Sequence, residues 1–214
     1  METGSRGDGS DSVIVRNSNL TTTKDKDLPD EALMARIAGG DAGAFAILVG
    51  RHQRRVLNLI YRTLGDRTQA EDVAQEVFLR VWRAAADYAP KAKFTTWVYR
   101  IAANLCLDAL KSARHRHSFI HPEGLPESPA EEAQPDGGSA PSPETLLIDA
   151  EETGRILAAL RELPANQRLA VVLAKFDELT YGEISQVLGC SVPAVESLLV
   201  RAKKTLRKKL RSPG

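Results

Sequence analysis

Apolar residues recur every three or four positions along most of this chain, a spacing that predicts helices and leaves no segment with strand alternation. The pattern is clearest between residues 180 and 210. Ile184, Val187 and Leu188 share one face of a short segment, and Val195, Leu198, Leu199, Ala202, Leu206 and Leu210 form a single stripe on a longer one. Thr180 and Glu183 have the spacing of a capping box, in which each side chain accepts from the other residue's amide. Gly189 ends the first helix, because glycine tolerates the left-handed conformation there. Ser191 is a good N-cap for the second, and Pro193 is tolerated in its first turn. Two helices so joined make a helix-turn-helix, the unit that lays its second helix in a DNA major groove.

The polar side of the second helix suits that role. Pro193, Ser197, Val200, Arg201, Lys204 and Lys208 lie opposite the stripe, with Glu196 on the flank and Ser191 and Lys203 completing the set. Ser197 and Arg201 suit base edges, and Val200 suits a thymine methyl. Lys203, Lys204, Arg207, Lys208 and Lys209 suit phosphates. A surface helix with a solvated basic face, or one that meets a membrane or an acidic partner, is the plainer alternative. The capping box, the glycine stop and the short turn favour DNA.

Upstream, Asp30 is expected to cap a segment carrying Leu33, Met34 and Ile37 that ends at Gly39-Gly40. Asp41 caps the next, with Phe45, Leu48, Val49, Val56, Leu59 and Ile60, and Gly65-Asp66 breaks it. The pattern predicts a third helix from about Gln69 to Ala85. Val73, Ala74, Val77, Phe78, Val81 and Trp82 point inward, while Asp72, Gln75, Glu76, Leu79, Arg80 and Arg83 line the other side. By itself that outer side is a solvated face with i,i+4 pairs. A fourth helix runs from about Thr95 to Ser112, and Lys91 to Arg100 mixes aromatics with cations. Such mixing suits single-stranded DNA, since rings stack on unpaired bases while cations hold phosphates. Phe94, Val98, Ile101 and Leu105 also fall on one helical stripe, so some of these aromatics belong to the core. Lys111, Arg114, His115, Arg116 and His117 extend the basic run. Pro143–Leu160 and Pro164–Phe176 predict two more helices.

Hydrophobic content of 43% is ordinary for a soluble protein, and no apolar run is long enough to span a bilayer. The segment up to Lys26 is polar, lacks the apolar core of a signal peptide, and is expected to be a disordered tail. Cys106 and Cys190 give no disulfide framework, so a cytoplasmic location is expected. The net charge of +1 conceals an asymmetry: nine acids and no Lys or Arg between Phe119 and Gly154, then seven bases and no acid between Arg201 and Arg211. That basic end is what a DNA would meet. His121–Pro143 holds six of the eleven prolines, with Gly137-Gly138 and no periodicity, and is expected to be an extended linker. The expected fold is all-α: two helical domains, 28–118 and 144–211, joined by a flexible acidic Pro-rich linker at 119–143, with a tail at 1–27.

His115, His117, His121 and Cys106 are the one candidate metal cluster, and their spacing matches no zinc pattern. No metal or other cofactor is expected. No Ser-His-Asp or paired-carboxylate arrangement stands out, so no catalytic residue is assigned.

Four segments stand in an order that resembles one family. They are Asp-Val-Ala-Gln-Glu-Val-Phe-Leu-Arg-Val-Trp (Asp72–Trp82), Phe-Thr-Thr-Trp-Val-Tyr-Arg-Ile-Ala-Ala-Asn-Leu-Cys-Leu-Asp (Phe94–Asp108), Leu-Pro-Ala-Asn-Gln-Arg (Leu163–Arg168) and Leu-Thr-Tyr-Gly-Glu-Ile-Ser-Gln-Val-Leu-Gly-Cys-Ser (Leu179–Ser191). The chain resembles the extracytoplasmic-function (ECF) sigma factors of bacterial RNA polymerase over Asp30–His117 and Pro143–Leu210.

The resemblance implies a non-catalytic specificity subunit that brings core polymerase to promoters and assists melting, in a stress-response setting. It puts Asp72, Gln75, Glu76, Leu79, Arg80 and Arg83 on the clamp helices of the β′ subunit, with the β subunit also in contact with the factor. It gives the melted minus-ten strand to Tyr88, Lys91, Lys93, Phe94, Thr96, Tyr99, Arg100, Asn104, Lys111 and Arg114. Asn104 is the polar residue near a pocket for a flipped base, whose Watson–Crick edge is readable only once it is unstacked. The minus-thirty-five duplex falls to the helix-turn-helix, and the linker threads toward the active centre. An anti-sigma protein is a further implied partner; direct membrane insertion is not. Glu196 departs from the family, where many relatives carry Arg or Lys. Without the upstream motifs, a stand-alone helix-turn-helix regulator acting at an operator would be the alternative.

Overall fold

The computed structural model describes residues 27–90, 92–119 and 154–211, with the backbone alone at 114–119 and 210–211. Residues 1–26 of the expected tail, residues 120–143 of the expected linker, residues 143–153 of the expected helix Pro143–Leu160, and Lys91 lie outside the described residues. All regular structure among the described residues is helical. The first half holds α1 (Asp30–Ala38), α2 (Ala42–Leu64), α3 (Arg67–Arg83), a 3₁₀ turn at Ala85–Asp87 and α4 (Phe94–Phe119). The second holds α5 (154–161), α6 (Ala165–Lys175), α7 (Tyr181–Leu188) and α8 (Val192–Arg211).

Local chemistry sets most of these boundaries. The Asp41 carboxylate accepts from the Ala44 amide at 3.0 Å and starts α2. That bond and a neighbouring one from Arg36 hold its pKa below the usual value. Gly65, at φ 78°, ends α2 in the left-handed region. Asp66 then accepts from the Gln69 amide at 2.7 Å, so α3 begins at Arg67 rather than at Gln69. Asp30 does not cap α1: Pro29 holds that position and Asp30 lies in the first turn. Its carboxylate instead accepts from Arg51 and contacts His52 Nε2, both at 2.7 Å, tying α1 to α2. α4 continues to Phe119, past the predicted end at Ser112.

Leu33, Met34, Leu48, Leu59, Ile60, Val77, Val81, Phe94 and Val98 fill the first half, and Leu160, Leu163, Leu169, Val172, Leu173, Ile184, Val187 and Val195 fill the second. Each such leucine contributes about 2 kcal/mol by leaving water. Trp82 is not inward as the pattern predicts. It is 37% exposed and rests edge-on against Phe45, ring centres 5.0 Å apart. Cys106 is fully buried, which pushes its thiol up to about 12 and leaves it inert.

The halves pack on one another, α2 against α6 and α4 against α7. At the seam, Arg168 of α6 is only 7% exposed. Its guanidinium donates to the carbonyls of Thr63, Arg161 and Leu163. Arg161 donates to the carbonyl of Gly65. Thr63 and Gly65 sit at the C-terminal end of α2, where carbonyls lack helical partners and the helix dipole is negative. Two guanidiniums from the second half satisfy that end.

Candidate nucleic-acid and polymerase interfaces

The helix-turn-helix forms as its caps dictate. Thr180 Oγ1 accepts from the Glu183 amide at 3.3 Å, and Glu183 Oε2 accepts from the Thr180 amide at 3.0 Å. Gly189, at φ 63°, ends α7. Ser191 Oγ accepts from the Ala194 amide at 3.4 Å and opens α8, which crosses α7 at 98°. Val195 and Ala202 are buried, and Leu199 and Leu206 pack beside them. This anchoring turns Ser191, Pro193, Glu196, Ser197, Val200, Arg201, Lys203, Lys204 and Lys208 outward, all exposed. Val200 is 69% exposed on this side.

The outer side of α3 is equally accessible. Asp72, Gln75, Leu79, Arg80 and Arg83 are exposed, and Glu76 accepts from Arg80 at 2.7 Å. Leu79 is 48% exposed in the middle of this charged face.

The minus-ten set divides. Arg100, Asn104 and Lys111 are exposed along α4. Phe94 and Thr96 are buried, and Tyr88 and Trp97 meet edge-on at 4.9 Å over Phe94. Tyr88, Phe94 and Trp97 pack on one another at the start of α4 rather than turning their rings outward. Lys91 and the Arg114 side chain lie outside the described residues, as do the side chains of His115 and His117 and all of His121. Among the described residues no group of three or more His, Cys, Asp and Glu side chains is placed to hold a metal ion.

Lys93 and Tyr99 are engaged by the other half. Lys93 donates to Glu183 Oε1 at 2.9 Å. That bond first, and then the bonds from Thr180, push the Glu183 carboxyl down to about 2. The Tyr99 hydroxyl donates to Asp177 Oδ1 at 3.0 Å. Burial chiefly, with the Asp177 charge beside it, raises the Tyr99 phenol, and burial raises Asp177 as well. Arg168 and Asp177 are the seam residues that pattern did not single out. The signal for Arg168 was one arginine directly before the apolar run Leu169–Ala174; Asp177 gave none.

Two family models match the chain: Sigma-70 region 2 over residues 48–116 and Sigma-70, region 4 over residues 153–206. The RNA polymerase sigma-H factor of Pseudomonas aeruginosa is 33% identical over 183 residues, covering 85% of this chain and 93% of that protein. The ECF RNA polymerase sigma-E factor of Escherichia coli K12 is 31% identical over 187 residues, covering 86% and 95%. Among solved structures, CnrH in complex with the cytosolic domain of CnrY superposes with a TM-score of 0.61 at 27% identity, covering 86% of this chain and 99% of that one. The sigma factor RpoE of Bartonella quintana, solved with the anti-sigma factor NepR, shares the fold with a TM-score of 0.57 at 18% identity, over 78% of this chain and 96% of that one.

Proposed function

The chain belongs to the extracytoplasmic-function sigma factors of bacterial RNA polymerase, and from that premise we propose how its exposed faces divide the work of promoter recognition. As a sigma factor it brings core polymerase to specific promoters and takes part in initiation. In this division the outer side of α3, from Asp72 to Arg83, docks on the polymerase. Lys93, Tyr99, Arg100, Asn104 and Lys111 hold the melted minus-ten strand. The outward side of α8 reads the minus-thirty-five duplex, with Ser197 and Arg201 at base edges, Val200 at a thymine methyl and the lysines at phosphates. The domains extend over 28–118 and 144–211. Bond-making belongs to the core enzyme, so the protein supplies no catalytic group and works beside polymerase in the cytoplasm.

One observation carries this division. The two matched regions fall on the two helical halves in order, and each half turns a coherent set of charged and polar side chains outward. A stand-alone regulator would need the α8 face alone and leaves the α3 face, with Leu79 exposed, without a role. An anti-sigma protein is a further partner, supported by CnrH and RpoE having each been solved with a bound partner.

Reconstitution tests the division. Core polymerase given this protein should initiate at a specific subset of genomic promoters in runoff transcription. Unchanged initiation would refute it.

A further inference from the structure

Between the halves lies an open cleft of about 590 Å³ whose two walls carry opposite charge. Arg54, Arg55 and Arg62 of α2 and Lys93 line one wall, and Asp177, Glu178 and Glu183 line the other. Arg54, Asn58 and Arg62 recur at four-residue intervals, so they form one stripe about 12 Å long on α2. Such a stripe spans more than one phosphate of a nucleic-acid strand. Arg54 and Arg55 are exposed, and the charges of Arg55 and Arg62 act on the Asp177 carboxylate across the cleft. The stripe leads to Lys93, which stays largely exposed while donating to Glu183, and to Tyr99, which is buried beside Asp177; both belong to the proposed strand-binding set.

The contacts across the cleft are of the kind a strand would make. A carboxylate takes the ammonium of Lys93 at 2.9 Å, a second takes the hydroxyl of Tyr99 at 3.0 Å, and the Phe176 ring lies 4.4 Å from the guanidinium of Arg62. Two anionic groups and one aromatic ring thus occupy positions that suit phosphates and a base. Glu183 does this while completing the capping box of α7, so the segment is rigidly presented.

We propose that Arg54, Arg55 and Arg62 extend the single-strand surface of α4 onto α2, and that the segment from Phe176 to Glu183 is its intramolecular competitor. In the closed form the acidic segment holds the cleft; promoter strand and second half exclude one another there. The competition rests on the assignment of Lys93 and Tyr99 to the melted strand. It keeps the factor from free single strands until the halves separate, as they must for one half to reach each promoter element.

The test measures binding of a fluorescein-labelled, random-sequence single-stranded DNA to the full chain by anisotropy. Asp177→Asn with Glu183→Gln removes both charges while keeping groups able to accept from Tyr99 and Thr180. If about nine chains in ten are closed, this variant binds about tenfold more tightly than the parent. Adding Arg54→Glu and Arg55→Glu abolishes the gain, and the salt dependence of the opened variant is steeper than the parent's because more phosphates are met. Equal affinity of parent and opened variant overturns the competition. An opened variant indifferent to the arginine changes overturns the extension onto α2. Lys93→Ala separates the premises: if it leaves strand binding of the opened variant intact, the strand assignment itself is wrong; if it weakens binding while the charge removal does nothing, only the competition is wrong. Small-angle scattering supplies a second readout, an increase in radius of gyration in the opened variant, and an unchanged radius counts against the proposal.

Discussion

The guanidinium of Arg168 donates to the carbonyl of Thr63, 105 positions earlier in the chain, and so joins the first turn of α6 in one half to the last turn of α2 in the other. The same side chain also serves the carbonyls of Arg161 and Leu163. Replacement by methionine keeps bulk and leaves those buried acceptors without a donor, at an expected cost of about 3 kcal/mol. Lysine fails as well, because one ammonium cannot reproduce the planar fork. Urea unfolding should show a lower midpoint for both variants, and a midpoint within error of the parent would refute the role.

Among the described glycines, Gly65 is the one that combines a positive φ with a neighbouring group in the path of an added side chain. Its φ is 78°, and a Cβ there would run into the Arg161 guanidinium. Gly65→Ala is expected to lose about 1–2 kcal/mol from left-handed strain, together with the Arg161 contact. Gly50, where an added Cβ meets nothing within 4 Å, is the control: Gly50→Ala lies inside α2 and should be neutral or stabilising. Thermal melts of the pair decide the point.

The Lys93–Glu183 pair makes stability depend on acid in a definite window. The folded-state carboxyl lies at about 2 against an ordinary 4.5, so its contribution is complete above pH 4.5 and is lost as pH falls through about 2. Asp177 works in the opposite sense, because burial raises its pKa and acidification relieves that cost. The stability difference between parent and Glu183→Gln should therefore be constant from neutral pH to 4.5 and shrink below it. Lys93 is largely exposed, so the difference should stay under about 1 kcal/mol. A difference that does not vary with pH would show that the ionised carboxylate of Glu183 contributes nothing to stability.

Arg201 stands exposed on α8 among candidate base contacts. Arg201→Ala should weaken discrimination among minus-thirty-five sequences by about 1–3 kcal/mol if it reads a base. Binding of holoenzyme to a randomised element, followed by sequencing, measures this. A uniform loss across sequences would make it a phosphate contact.

Leu79 offers a change that spares the fold. Leu79→Asp on an exposed helix face should alter stability by no more than about 0.5 kcal/mol. Affinity for core polymerase should drop at least about tenfold, since about 1.4 kcal/mol suffices for that. Unimpaired assembly on a native gel would remove the α3 face from the polymerase interface.

What the chain's own pattern determined was local. The 3.6-residue period located the helices, and the side chains at Asp41 and Thr180 and the glycines at 65 and 189 set their ends, because caps and left-handed residues act over three or four positions. The outward set on α8 was legible for the same reason: one apolar stripe fixes which side of a helix is left over. Boundaries failed where a neighbour outside the helix intervened, as when Arg51 and His52 drew Asp30 away from a cap. Only tertiary packing decided the rest. It buried Phe94 and Thr96, left Trp82 at the surface, placed Arg168 on the carbonyls of α2, and set Asp177 and Glu183 against Tyr99 and Lys93. Those contacts join residues 78 to 105 positions apart, and no periodicity along one helix encodes a partner on another.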